Sequence, residues 1–142
     1  MKRTILLLLI AIISVAMVSC TKTRKDLIQG KWELKSAEYD PQSLKHGEDT
    51  IDIYLALKTE IGKVYEFTKD GSFKESKKET VMQQGKYEFK NNDKYLLLDY
   101  GRDTYSRFLI MQLDKNWLKL RLEDGAPIIY KFTSISEDSK KQ

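Results

Sequence analysis

Short runs of alternating apolar and polar side chains extend from about residue 31 to residue 134, with turn-forming residues between them roughly every ten positions. Period-two alternation puts one set of side chains on each face of an extended strand. Trp32 and Leu34 alternate with Lys31, Glu33 and Lys35. VYEF (64–67) and SFKES (72–76) flank KDG, GKYEF (85–89) and YLLLDY (95–100) flank NND, and YSRFLIMQL (105–113) and WLKLRL (117–122) flank DKN. Each of these is a hairpin signal. IIYKFTS (128–134) follows EDGAP, where Gly125 and Pro127 interrupt the preceding run. The spacing predicts an all-β chain of eight strands joined as neighbouring hairpins. A sheet of that size leaves two edges open to aggregation unless it closes on itself, so the expected architecture is an eight-stranded antiparallel up-and-down barrel.

The inward set follows from the alternation: Trp32, Leu34, Tyr65, Phe67, Phe73, Tyr87, Phe89, Leu118, Leu120, Leu122, Tyr130 and Phe132. The sixth strand is apolar on both faces, so either Phe108 and Ile110 or Leu109 and Met111 point inward. Its other face would pack on a helix or meet a partner. With so many aromatics in a small barrel, a mostly filled interior with a shallow mouth is expected. One segment departs from the two-residue rhythm. DTIDIYLALKTEIG (49–62) sets Ile51, Tyr54, Leu55, Lys58 and Ile61 or Gly62 at helical offsets, with Asp49 as a cap and Gly62 as a left-handed stop. This predicts one helix between strands 1 and 2, placed to plug a barrel end.

Ahead of the barrel lies a different kind of sequence. Lys2 and Arg3 precede an apolar stretch from Thr4 to Ser19, which ends at Cys20, the only cysteine. As a helix rising about 1.5 Å per residue it would reach roughly 24 Å, short of the ~30 Å hydrocarbon slab, so a removable leader is favoured over a permanent span. Met17-Val18-Ser19-Cys20 resembles the lipobox of bacterial lipoproteins. That resemblance implies cleavage before Cys20, acylation of its thiol, and membrane anchoring through two or three chains. The expected organisation is a signal peptide at 1–19, a lipidated tether at 20–26, a barrel domain at 27–135 and a flexible tail at 136–142. Thr21 stands where an inner-membrane retention Asp would be, and the tether is mostly basic. The expected location is therefore the cell envelope, on the outer membrane facing the periplasm.

Gly30-Lys31-Trp32 resembles the GxW signature of lipocalins. The order that follows is similar to the small bacterial lipocalin-like domain carried by lipoproteins: Tyr65, Phe67, Asp70, Gly71 and Phe73 in one hairpin, then Gly85, Tyr87 and Phe89, and finally Tyr130 and Phe132. The resemblance implies that Gly30 and Trp32 mark the closed end of the barrel. It also implies a basic residue packed over Trp32, for which Arg121 and Lys131 are both candidates.

No catalytic grouping is expected, and the chain is read as no enzyme. The single histidine, His46, sits in a polar loop, and lipid would consume the single thiol, leaving nothing for a nucleophile, a disulfide or a transition-metal site. Ser36, Ser72 and Ser106 have no histidine beside them to activate them. Asp49 and Asp52 read as helix-start residues, and Asn91, Asn92 and Asp93 as turn formers rather than cation ligands. Glu66 and Glu88 lie on outward positions among lysines, as ion pairs would. The net charge of +4 includes two leader residues, and the rest mixes both signs, so no nucleic-acid surface is indicated. No cofactor is implied. The expected function is binding of a small apolar ligand, with Tyr54, Tyr65, Tyr87 and Tyr130 as lining candidates. The alternative is a filled scaffold that binds an envelope protein through its outer face.

Overall fold

A computed structural model of the chain describes residues 22–40, 42 and 50–135; Cys20 with its leader, His46, Asp49 and the 136–142 tail lie outside the described residues. The elements in order are α1 (Arg24–Leu27), β1 (Gly30–Tyr39), α2 (Thr50–Glu60), β2 (Val64–Phe67), β3 (Ser72–Lys77), β4 (Thr80–Lys90), β5 (Tyr95–Gly101), β6 (Thr104–Leu113), β7 (Trp117–Leu122) and β8 (Ile128–Ile135). Each strand pairs antiparallel with the next, and β8 pairs back onto β1, giving a closed eight-stranded up-and-down barrel. The alternation dictates this result: every residue of the expected inward set is in the core or packed against it, and on β6 Phe108 and Ile110 are the buried pair. Met111 faces outward, 43% exposed.

One end of the barrel is sealed by the chain that leads into it. Thr23 and Asp26 cap α1 reciprocally, Thr23 Oγ1 accepting from the Asp26 amide and the Asp26 carboxylate accepting from the Thr23 amide. Asp26 also holds the Thr23 hydroxyl at 2.6 Å, and these bonds keep its carboxyl below the usual range. Arg24 to Asp26, read from sequence as tether, thus form the start of a helical turn. That turn drives Ile28 completely out of solvent. The Trp32 indole N–H donates to the Ile28 carbonyl at 2.7 Å, and Arg24 Nη1 bonds the Asp93 carbonyl of the β4–β5 turn. A buried indole must find an acceptor, and the entering chain supplies it. Neither basic candidate serves as the seal. Arg121 bonds Asp40 and Glu123 toward the opposite end, and Lys131 pairs with Glu38 at 2.5 Å on the outer wall. Leu118, Leu120 and Leu122 take the inward parity on β7, as Tyr130 and Phe132 do on β8, so Arg121 and Lys131 between them face away.

Helix α2 ends at Glu60, and two residues on Gly62, with a φ of +84°, is the left-handed stop expected there. The Gly62 amide then bonds the Leu34 carbonyl and the Leu34 amide bonds the Lys63 carbonyl, fastening the crossover to β1. The buried face of α2 differs from the expected one. Leu57 is buried, whereas Tyr54 and Leu55 are 57% and 56% exposed. Apolar residues occur all round this helix, so its periodicity does not single out a face. Two tight turns have neither Asn nor Gly at their central pair: Lys78-Glu79 and Arg102-Asp103 (the latter preceded by Gly101) each adopt positive φ at both residues, the geometry that joins twisted strands in two-residue hairpins.

Gly85 allows the β5 backbone at Asp99 to approach β4 closely. A methyl group built on it would lie 1.9 Å from the Asp99 carbonyl oxygen and 3.0 Å from the Phe73 ring. The clash is with backbone, so no side-chain rotation relieves it. Gly85→Ala is expected to lower stability by about 3 kcal/mol, the upper range for overpacking. Lys74→Ala on the exposed face of β3 should shift it by less than about 0.5 kcal/mol. Urea unfolding midpoints of the two variants check this.

Candidate functional site

Alternating strand direction decides which inward residues meet at which end. β2, β4, β6 and β8 run from the open end toward the sealed end, and the odd strands run back. Early inward residues of even strands therefore share the open end with late inward residues of odd ones. Tyr65, Ser106 and Tyr130 are early; Glu75, Tyr100 and Leu122 are late. Together with Gln83 on β4 and with Glu60 and Lys63 from the crossover, they surround a cavity of about 240 Å³. One step deeper, Phe67, Leu98, Phe108, Leu120 and Phe132 form its apolar floor. The interior is thus filled at the sealed end and hollow at the mouth, a larger space than the shallow mouth expected from sequence.

The cavity wall carries an ion triad. Lys63 Nζ lies 2.6 Å from Glu75 Oε1 and 2.5 Å from Glu60 Oε2. Glu75 is 3% exposed and shares the inward parity of Phe73. Burial alone would pull the Lys63 pKa down, but hydrogen bonds to Glu60 and Glu75 outweigh it and hold the ammonium above its ordinary range. The Tyr65 hydroxyl also bonds Glu75, and burial first, then the Glu75 charge, push that phenol far up. Tyr100 shares a hydrogen bond with Ser106, which partly offsets the upward push of burial. Burial and the charge of Glu60 push Tyr130 up to about 12. The rings brace one another edge to face, Tyr65 on Phe132 at 5.4 Å and Tyr100 on Phe73 at 5.3 Å. At neutral pH the wall therefore presents three protonated phenols and one ammonium engaged by two carboxylates.

Of the four tyrosines picked as lining from sequence, the structure brings Tyr65 and Tyr130 to the cavity. Tyr54 stands on the exposed face of α2, with the Lys58 ammonium 4.6 Å from its ring centre. Tyr87 comes late on β4, an even strand, so it lies toward the sealed end, its hydroxyl donating to the Thr68 carbonyl at 2.8 Å. Tyr100, Glu75 and Lys63 were missed, although parity with Leu98, Phe73 and Tyr65 marks each as inward. Glu66 and Glu88 face outward, paired with Lys31 and Lys90. Asn91, Asn92 and Asp93 all adopt positive φ in the β4–β5 turn. Among the described residues no group of three acidic, histidine or cysteine side chains is placed to hold a metal ion.

Two expectations follow from this geometry. Lys63→Met would leave the Glu75 carboxylate buried without its cation and should cost roughly 3 kcal/mol, much of it recovered by adding Glu75→Leu; chemical unfolding of the two variants decides. The buried phenols also set an alkaline limit. An unfolded phenol ionises near pH 10, whereas Tyr130 holds its proton up to about pH 12. Its contribution is therefore fully present below about pH 10 and is lost as pH climbs through about 12. The tyrosinate absorbance of the folded protein should lack part of its amplitude near pH 10 and gain it only at unfolding, and Tyr130→Phe should shrink that delayed phase.

Residues 28–120, well over half of the chain, match the model of the lipocalin-like domain. No curated protein matches the chain.

Proposed function

Taking as premise that the chain belongs to the lipocalin-like domain family, we propose that it is a small-ligand-binding module held to the envelope membrane by lipid on Cys20. The observation that carries the binding reading is the cavity of about 240 Å³ with an apolar floor and a polar wall at the open end. Ligand sites are typically concave, mostly apolar, and carry a few convergent polar groups. The volume lies below the usual ~300–1,000 Å³ of drug-sized sites, which favours a compact ligand over a long acyl chain. Among the described residues the lining holds a triad of fixed charges and no histidine, which supports binding rather than turnover.

The anchoring part rests on the lipobox-like Met17-Val18-Ser19-Cys20 alone. Labelled palmitate should be incorporated by the wild-type chain and lost in Cys20→Ser, with the protein moving from the membrane to the soluble fraction. Unchanged fractionation would overturn the anchor.

A second reading, docking of an envelope protein on the outer wall, is favoured by the exposure of Tyr105, Met111 and Trp117 along β6 and β7. A photo-crosslinker at position 111 that yields one discrete adduct in cells would support it. For the ligand reading, native mass spectrometry of the protein released gently from its source cells should show a bound small molecule. Leu122→Trp, which fills the mouth, should remove that mass. A wild-type protein that is always ligand-free would count against binding.

A further inference from the structure

The charge at the cavity mouth specifies more than an apolar cargo. Among the described cavity-lining residues the fixed charges are Lys63, Glu60 and Glu75, one positive and two negative, so this part of the wall is net negative. Lys63 is not a free anion receptor, since both carboxylates engage its ammonium within 2.6 Å. An incoming carboxylate would have to compete with two resident ones, in a space where water no longer screens like charges well. A ligand cation meets the opposite situation. The Glu75 carboxylate takes hydrogen bonds from Lys63 and Tyr65, and an ionised carboxylate has about four acceptor positions. Capacity therefore remains on a group that lines the cavity. Around it stand the rings of Tyr65, Tyr100 and Tyr130, whose faces attract cations. Their phenols are each pushed up, first by burial and further by the neighbouring carboxylates, which is what a negative local potential does. The floor of Phe67, Leu98 and Phe108 suits an apolar body.

We propose that this cavity selects a compact molecule with a basic amine on an apolar, preferably aromatic, body, its ammonium beside Glu75 and the tyrosine rings and its body on the phenylalanine floor. The inference rests on the ligand-binding reading and adds the sign of the charge. It excludes small carboxylates as preferred ligands.

The test uses the full-length protein in phospholipid nanodiscs and three probes of matched size: phenylpropylamine, phenylpropanol and phenylpropanoate. Isothermal titration is run on wild type, with Leu122→Trp subtracted as the filled-cavity control. The amine should bind at least about tenfold more tightly than the carboxylate, with the alcohol between them. Glu75→Gln should bring amine and alcohol to within about threefold of each other. If that variant does not fold, Glu60→Gln, with its side chain closer to solvent, should narrow the same gap. Equal binding of all three probes, or tighter binding of the carboxylate, overturns the charge preference and leaves the cavity as a ligand site. Cavity-dependent binding of none of the three overturns both this inference and the ligand-binding reading.

Discussion

The pairing of β8 with β1 is the constraint on which the other features depend. β1 is shared between two neighbours. Its first four residues pair with β2, and from Lys31 to Tyr39 it pairs with β8. Between them, the Leu34 backbone reaches the crossover at Gly62 and Lys63. Without that seam, β1 and β8 would be exposed edges and the aromatic inner face would be wet. With it, the inward side chains have no direction but toward each other, and the interior becomes a small dry volume whose two ends can differ in chemistry.

The ends do differ, and the difference makes the molecule useful. At one end the capped turn of α1 pushes Ile28 beneath Trp32 and offers its carbonyl to the indole, so that end is filled and hydrogen-bonded. At the other, the inward positions carry Tyr65, Glu75, Tyr100, Ser106 and Tyr130 instead of aliphatic chains, and Lys63 is turned in among them by the stop at Gly62. Polar side chains with fixed partners do not collapse into a void as leucines would. Among the described residues every buried side-chain nitrogen and oxygen has a hydrogen-bond partner. The network therefore holds the cavity open at a tolerable energetic cost.

Much of this could be read from the residues. Alternation and hairpin residues are local and periodic, and they predicted all eight strands, the barrel and the helix before β2. What escaped was information stored at longer range or in contrary chemistry. Glu75 sits in KDGSFKESKKE, a run whose charge density reads as a solvated hairpin, yet its two-residue offset from Phe73 points it inward. Tyr87 and Tyr100 exchange roles because β4 runs toward the sealed end and β5 away from it, so lateness in a strand means opposite depths. Lys78-Glu79 turns the chain without a residue that prefers positive φ, and β4 therefore starts at Thr80, ahead of the run read as strand. The lipocalin resemblance implies a basic residue packed over Trp32, but what its indole meets is a main-chain carbonyl, which leaves no compositional trace.

Backbone amide hydrogen exchange along the first and last strands tests the closed wall most directly. If the seam is formed, the alternate amides between Ser36 and Tyr39 that face β8, and those of β8 that face β1, exchange as slowly as those between β5 and β6. Exchange there as fast as in an exposed edge strand, with β5 and β6 still protected, would show an open sheet and contradict the account from the cavity upward.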